Sequence, residues 1–474
     1  MQLFDSLTNQ KREFIPLEPG KVKMYSCGPT VYNYFHLGNA RPFVVFDLLR
    51  RYLEYRGYKV TFVQNFTDID DKMIRRANEE GVTLRELADK YIAEYFKDAD
   101  GLGIKRATIQ PRATESIDAI IEQVGKLVAG GHAYVSTDGV YFSTRSFPDY
   151  GKLSHFHLDE LEAGASERVN TGENKHDPAD FAVWKFKKPG EPAWPSPWGE
   201  GRPGWHIECS SMINRYLGPT IDIHSGGKDL IFPHHENEIA QSECATGKQL
   251  AHYWLHNGFI NVNNEKMSKS LGNFFTVRDV VKHFPYDVIR FFLLTGHYRS
   301  PINFSDELLQ AAQTGLTRLR NCYSAVQFKL KSKVESAESA DKAAAAVAES
   351  VRKSIDTART AFIAAMDDDL NTPDALAAIF SWVREVNTLI TSSPSAADCQ
   401  AVLDFFDELG DVLGLRWQCE EAIPTEILAL VEARTQAKKA KNFTLADELR
   451  KQITEAGYTL MDTPQGPRIE KQHA

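Results

Sequence analysis

Residues 21–41 read KVKMYSCGPTVYNYFHLGNAR, and the way this stretch parses decides the fold. Lys21–Thr30 is strand-like and ends in a Gly-Pro turn. From Gly38 to Tyr55, apolar residues fall at Val45, Leu48, Leu49, Tyr52 and Leu53, a stripe with helical spacing. Gly57 is placed to stop that helix, and Lys59–Gln64, KVTFVQ, reads as the next strand. Strand, helix, strand is a crossover unit, and it predicts a parallel α/β sheet. The turn His36-Leu37-Gly38-Asn39 opens the helix. A helix N-terminus offers free N–H groups and partial positive charge, which suits phosphate. Gly38 removes a side chain where a phosphate or ring would approach. Taken alone, such a turn is more often an ordinary capped helix start.

At 474 residues the chain exceeds the ~250–300 at which single cores stop growing, so several domains are expected. The composition is that of an ordinary globular enzyme. No apolar run approaches the ~20 residues needed to span a bilayer, and MQLFDSLTNQKREF lacks the layout of a secretory signal. Six cysteines (27, 209, 244, 322, 399, 419) are scattered without a CxxC pair, which predicts a reducing, cytoplasmic setting. The net charge of −9, from 64 acidic and 55 basic residues, gives no support to nucleic-acid binding across the whole surface. Any such site must be a local patch.

Beyond residue 110 the alternation breaks. Ala133–Thr144, AYVSTDGVYFST, is two strand runs around Asp138-Gly139, a hairpin signal. Lys187–Trp205 carries five prolines and three of the seven tryptophans, and reads as a rigid extended loop. Residues 111–200 are therefore expected as an insertion between two halves of the α/β domain, 1–110 and 201–280. The second half resumes with Thr220–His224, TIDIH, and a helix over PHHENEIAQSE. After about residue 280 the chain turns helical. Composition does not decide between helix and loose chain for 331–350. Residues 425–456 read as two short helices.

Two further stretches carry chemistry. Phe232–Glu238 is FPHHENE. Pro233 can open a helix, and His234 and Glu238, four apart, then share one face. The order is not the HExxH of zinc hydrolases; it reads as half a metal site. Lys266–Asn273, KMSKSLGN, sets two lysines and two hydroxyls in one loop. That suits charge developing on a departing pyrophosphate; a solvated basic turn is the bland alternative.

HLGN after the first strand and KMSKS about 230 residues later resemble the class I aminoacyl-tRNA synthetases. CGPTVY before HLGN, NFTDIDDK at 65–72, PGWHIECS at 203–210, FPHHENEIAQSE at 232–243, MDDDLNTPDA at 366–375 and DTPQG at 462–466 narrow the resemblance to the cysteinyl-tRNA synthetases, along nearly the whole chain. The resemblance implies a Rossmann-type catalytic domain in two halves, a stem-contact region at 281–320, a helical bundle at 321–420 and an anticodon-recognition domain at 425–474. It implies activation of L-cysteine by ATP to cysteinyl-adenylate and transfer to the 3′ end of tRNA(Cys). His36, Asn39, Lys266 and Lys269 would hold the phosphates, with Thr30 and Gly38 completing the ATP site. One zinc ion per chain, held by Cys27, Cys209, His234 and Glu238, would recognise the substrate thiolate, and Mg²⁺ would accompany ATP. Thr67, Asp68, Trp205, His224 and Asp229 would surround the amino acid, with Asp229 facing its ammonium. His224 and His235 are expected beside the metal or substrate rather than as ligands. Glu236 is expected to face solvent, and the other four cysteines to be small buried residues. The chain departs from the usual HIGH pattern at Asn39, whose amide can donate a hydrogen bond but never acts as a cation.

Within 425–474, eight basic residues stand against seven acidic ones, so net charge says little. Four bases and no acid between 434 and 441 are the signal. Arg434, Lys438, Lys441 and Phe443 would give a phosphate track with a stacking ring for single-stranded RNA. Two alternatives share the core. A ligase joining cysteine to an amino sugar would not need 425–474. A non-catalytic RNA-binding relative would not need KMSKS and the full ligand set. A cytoplasmic monomer without membrane contact is expected.

Overall fold

The N-terminal strands β1 (Gln2–Asp5) and β2 (Gln10–Glu13) form an antiparallel hairpin. They lead into β3 (Lys21–Ser26), the helix Leu37–Tyr55 and β4 (Lys59–Gln64), parallel to β3. All five residues of the predicted helical stripe are buried, and Gly57 closes the helix at φ +88°. This is a computed structural model, and it describes residues 1–156, 174–262, 265–266, 275–334, 342–392, 394–418, 424–463 and 466–471.

After the helices Asp71–Glu80, Leu84–Gly101 and Ile117–Ala129 comes an antiparallel sheet of β5 (Ala133–Val135), β6 (Gly139–Phe142), β7 (Phe181–Phe186) and β8 (Gly201–Pro203). The Asp138-Gly139 hairpin pairs β5 with β6. The proline-rich loop is pinned by paired hydrogen bonds between Trp194 and Gly201, at 2.7 and 3.0 Å. Val140, Phe142 and Trp184 of this sheet share one apolar core with Tyr25, Ile221 and Trp254 of the parallel sheet. Among the described residues, the inserted segment therefore packs into the core of the parallel sheet.

The helix Trp205–Tyr216 returns the chain to the parallel sheet as β9 (Ile221–Gly227). The helix Glu236–Thr246 then leads to β10 (Ala251–Asn257). The sheet order is β10-β9-β3-β4, all parallel. The chain leaves β3 toward β4 on one side, and β9 lies on the other. The crevice beyond the carboxyl ends of β3 and β9 is thus a topological switch point, where α/β sheets bind ligands. Cys27 follows β3, and His234 and His235 follow β9.

A second small sheet, β12-β11-β13, comprises β11 (Ile260–Val262), β12 (Glu265–Lys266) and β13 (Ile302–Phe304). The helices Val277–Val281 and Tyr286–Leu294 separate β12 from β13. The helical part comprises Asp306–Val334, Lys342–Asp367, Thr372–Leu389 and Ala396–Leu413; residues 335–341 of the undecided 331–350 run lie outside the described residues.

The chain divides into two compact units. One comprises 1–316, 358–380 and 409–415; the other 317–357, 381–408 and 416–474. In the second, Trp382 packs on Phe405 and Phe406 with ring centroids 4.8 and 4.6 Å apart. Its C-terminal block has a core of its own, Ile427, Val431, Ile453, Tyr458 and Leu460. This core joins the helices Thr425–Lys439 and Phe443–Glu455 to a hairpin of β14 (Tyr458–Thr463) and β15 (Gly466–Lys471). The sequence reading has the two helices and lacks the hairpin.

Candidate active site

Four elements meet at the switch point. Cys27 follows β3, Cys209 lies one turn into the helix Trp205–Tyr216, His234 lies in the kinked segment Ile231–His235, and Glu238 lies in the first turn of the next helix. Their ligand atoms all lie within 4.8 Å of one another. The two sulfurs are 3.9 Å apart, Cys209 Sγ is 3.6 Å from His234 Nε2, Cys27 Sγ is 3.6 Å from Glu238 Oε1, and His234 Nε2 is 3.0 Å from Glu238 Oε1. A tetrahedron with zinc–ligand bonds of ~2.0–2.3 Å has edges of roughly 3.3–3.8 Å. Two thiols, an imidazole and a carboxylate at these separations fit zinc without rearrangement of the backbone.

A second possible set, Cys27, His224, His235 and Glu238, shares two of these residues. The first set is favoured by the groups behind it. His234 Nδ1 is 2.9 Å from His206 Nδ1, which orients Nε2 toward the centre. His224 Nε2 is 2.8 Å from Glu238 Oε2, on the oxygen facing away from His234. His235 directs Nδ1 to His256 Nε2 at 2.8 Å, and His256 reaches Ser6 Oγ at 2.8 Å. His235 Nε2 lies 3.3 Å from Cys27 Sγ, as a neighbour of the ligand.

The four groups shift one another's protonation, and against its burial His234 is held up at about 10 by Glu238 and Cys209. Burial pushes the Cys27 thiol well up, while the hydrogen bond from Cys27 holds Cys209 at about 6 despite burial. Burial would raise the Glu238 carboxyl, but His224 and His234 hold it at about 2. Two donors, Cys209 and Glu238, are thus held toward their charged forms in a nearly dry site, an arrangement a metal would stabilise.

The floor of the site is a hydrogen-bond chain. Gly28 N–H donates to Asn65 Oδ1 at 2.9 Å, Asn65 Nδ2 donates to Thr67 Oγ1 at 3.3 Å, and Thr67 donates to Glu208 Oε2 at 2.9 Å. It links the neighbour of Cys27 to the neighbour of Cys209. A Cβ at Gly28 would lie 1.6 Å from the Asn65 carbonyl oxygen, so only glycine allows this approach. Trp205, 43 % exposed, stacks on His234 at 4.4 Å and forms part of the wall.

The nucleotide side is built around His36. It is the N-cap of the helix Leu37–Tyr55, and its Nδ1 accepts the Asn39 N–H at 3.2 Å. Leu37 N–H donates to Phe275 O at 3.1 Å, and Val277 N–H donates to Phe35 O at 3.2 Å. Thr276 caps the helix Val277–Val281 through a box with Asp279. Lys266 closes β12, paired to β11. Both flanks of the KMSKS stretch are thus anchored, one of them directly on the HLGN turn. Residues 267–274, Lys269 among them, lie outside the described residues. Thr30 pairs with Thr67 across the ends of β3 and β4.

Residues 13–314 match the family model of the class I tRNA synthetase (C) catalytic domain, and 361–418 match the DALR domain. The chain is 55 % identical to the cysteine–tRNA ligase of Caldicellulosiruptor saccharolyticus over 474 residues, covering 99 % of this chain and all of the relative. The chain belongs to the cysteine–tRNA ligase family. The cysteine–tRNA ligase of Clostridioides difficile is 54 % identical over 472 residues, with 99 % of this chain and 100 % of the relative covered. Among solved structures, Mycobacterium tuberculosis methionyl-tRNA synthetase with methionyl-adenylate aligns at TM-score 0.58 and 18 % identity, covering 83 % of this chain and 90 % of that one. A LeuRS–tRNA–LeuAMS complex of Agrobacterium radiobacter K84 aligns at 0.57 and 12 %, covering 97 % of each chain. At these identities the likeness is one of fold.

Several residues singled out from the sequence of this cysteine–tRNA ligase family member have other partners. Asp68 is buried and accepts from the Thr114 N–H and hydroxyl at 2.9 and 2.5 Å, so it faces the insertion. Asp229 lies on an exposed 3₁₀ turn after β9. Arg434 is not a free phosphate contact: it is buried and forms a two-pronged pair with Asp462 at 2.7 and 2.8 Å. Lys438 shares that carboxylate at 3.1 Å. Lys441 and Phe443 are exposed. Of the remaining cysteines, 322 and 399 are buried and 244 is half-buried; 419 lies outside the described residues.

Glu236 does not face solvent. It is fully buried and accepts the N–H groups of Gly151, Leu153 and Ser154 at 2.9, 3.1 and 2.7 Å. Tyr150 donates to Asn237 Oδ1, and Lys152 pairs with Glu243 at 2.6 Å. One helix thus directs Glu238 to the candidate metal site and uses Glu236, Asn237 and Glu243 to hold the 150–154 segment. Glu236→Ala strands three buried donors and is expected to lower stability by about 3 kcal/mol, with Glu236→Gln losing less. Urea midpoints measure it; a loss below about 1 kcal/mol would refute the strap.

Proposed function

We propose that this chain activates L-cysteine with ATP and transfers it to tRNA(Cys), using a zinc centre formed by Cys27, Cys209, His234 and Glu238. The observation that carries this reading is the convergence, at one switch point, of a tetrahedral donor set and the HLGN turn to which the KMSKS flank is tied. Cysteine's carboxylate attacks the α-phosphate of ATP, and pyrophosphate leaves. The adenylate then gives its acyl group to the terminal ribose of the tRNA, and AMP is released.

Zinc held there supplies a borderline-soft centre for which a thiolate is a far better ligand than a serine hydroxyl. A plain pocket separates side chains differing by one atom by only ~1–3 kcal/mol, whereas a site whose key bond the analogue cannot make rejects it by ~10⁴ or more. Trp205, His224, Thr67 and Asp229 bound the amino acid in this reading, with Asp229 opposite the ammonium. Thr67 is held by Glu208, whose buried second oxygen has no hydrogen-bond partner. His36, Gly38, Asn39 and Thr30 line ATP, which arrives with Mg²⁺. Lys266 and Lys269 neutralise the departing pyrophosphate. Positioning and charge carry the rate, and no side-chain nucleophile is required.

Lys438, Lys441 and Phe443 contact the RNA, braced by the Arg434–Asp462 pair. The protein acts as a monomer in the cytoplasm, a setting that suits the free cysteines among the described residues. No helix among the described residues is long and apolar enough to cross a membrane. Cysteine-dependent ATP–pyrophosphate exchange followed by tRNA(Cys) charging tests the activity. Exchange without charging, coupled to acylation of an amino sugar, would replace this reading. Because the C-terminal block has its own core, truncation near Ile423 is expected to leave exchange within about threefold and to lower charging at least about tenfold. Undiminished charging by the truncated chain would remove the RNA role of 425–474.

A further inference from the structure

MDDDLNTPDA, 366–375, has no part in the site described above, yet it holds two consecutive non-glycine residues in the left-handed region, Asp369 at φ +60° and Leu370 at φ +53°. Each is strained backbone that persists only where the surroundings over-determine it. Here they do. Asp369 is wholly buried, and its Oδ1 accepts the Phe4 N–H at 2.8 Å and the Tyr298 hydroxyl at 2.7 Å. Its Oδ2 accepts Arg299 Nε–H at 2.6 Å, and His297 Nε2 lies 3.8 Å away. Its own N–H donates to Gln2 O at 3.1 Å. One carboxylate therefore grips the side chains of residues 298 and 299, with that of 297 beside it.

The other side of the same turn is gripped through its backbone. Arg41, fully buried, donates from Nη2 to His297 O at 3.1 Å and Ser300 O at 2.6 Å. From Nη1 it donates to Gly258 O at 2.8 Å and Phe259 O at 2.7 Å. Gly258 N–H donates to Tyr298 O at 2.8 Å. Arg41 makes no ion pair among the described residues, so its whole engagement is with carbonyl groups. It stands on the helix that His36 opens, and Gly258-Phe259 lead into β11, the strand paired with the one that ends at Lys266.

We propose that Asp369 is a positioning residue for the adenylation step. By clamping the 297–300 turn it holds Arg41, and through Arg41 it sets the spacing between the HLGN helix and the strands that carry the KMSKS stretch. The inference rests on the ligase reading. In-line transfer makes such spacing matter, since a displacement of about 1 Å can cost ~10²-fold in rate.

The test uses Asp369→Asn, Arg41→Lys and the double variant in the full chain, in cysteine-dependent pyrophosphate exchange normalised to folded protein. Each single variant is expected to lower kcat about 10- to 100-fold, with metal content unchanged and the KM for cysteine within about twofold. The double variant should lose no more than the worse single, because both act through one turn. Tyr298→Phe, which removes one contact to Asp369, replaces Asp369→Asn if the latter does not fold, and should show the same kcat-only loss. An unchanged kcat per folded molecule, a double loss equal to the product of the singles, or a loss carried by cysteine KM or metal content would overturn the proposal. Absence of exchange in the unaltered chain would overturn the ligase reading itself.

Discussion

Cys209→Ser is expected to lower metal affinity by more than about 100-fold and to abolish cysteine activation with it, while the fold survives. A hydroxyl is a poor zinc ligand, and even changes outside the ligand set commonly cost 10–100-fold in affinity. The geometry makes this position severe. Cys209 Sγ stands 3.9 Å from Cys27 Sγ and 3.6 Å from His234 Nε2, so the variant would leave three donors around an open corner. The fold should persist because the Cys209 helix is anchored in the apolar core by Ile207, Met212 and Ile213, all fully buried. Metal analysis and exchange assays together decide it. Stoichiometric metal with undiminished cysteine activation would remove Cys209 from the ligand set. The role of the centre is read separately from the absorption of cobalt-substituted protein. Cysteine should add a sulfur-to-metal band, and an unchanged spectrum at saturating cysteine would leave the metal a structural staple.

Lys269→Ala is expected to lower the maximal rate of pyrophosphate exchange by about 10²–10³, the range for removing one preorganised donor to transition-state charge. Cysteine affinity should stay within about twofold, because the proposed amino-acid pocket is built on β3, β9 and their helices. The Phe275 and Val277 backbone ties to the HLGN turn do not involve Lys269, so the anchors of the stretch remain. A parallel fall in cysteine binding and rate would mean a ground-state or folding role and would sink the pyrophosphate assignment.

Local pattern made part of this molecule legible. The stripe from Val45 to Leu53 lies on one helix, and its burial needs no knowledge of partners. His234 and Glu238 were paired by their spacing of four, and they lie 3.0 Å apart. The route to that contact was not legible. The helix starts at Glu236, and Phe232 is extended at φ −134° and ψ 133°, so a kink in the chain, and not a continuous helix, carries His234 into place. Glu236 was misread because its partners are 82 to 85 residues away, on a segment whose sequence names no acceptor. Arg434 was misread for a related reason. A run of bases looks like a track, and nothing local reveals that Asp462, on a hairpin the sequence reading lacks, takes one of them. His206 was within reach, since it precedes Cys209 by three on the same helix and therefore shares its face.

The ligands also set an order of events at the ribosome. Cys27 and Glu238 are 211 residues apart, and at ~5–20 residues per second the first thiol waits roughly 10–40 s for the carboxylate that completes its site. For most of that interval none of the other proposed ligands has been made, since Cys209 follows Cys27 by 182 residues, so the first thiol has no partner with which to chelate. If the proposed set holds zinc, the full four-donor site forms only once β3, β9 and the helix bearing Glu238 have come together. Loading is then the last step of maturation, and a chelator should strip the finished protein to a folded, inactive form that refills without passing through the unfolded state.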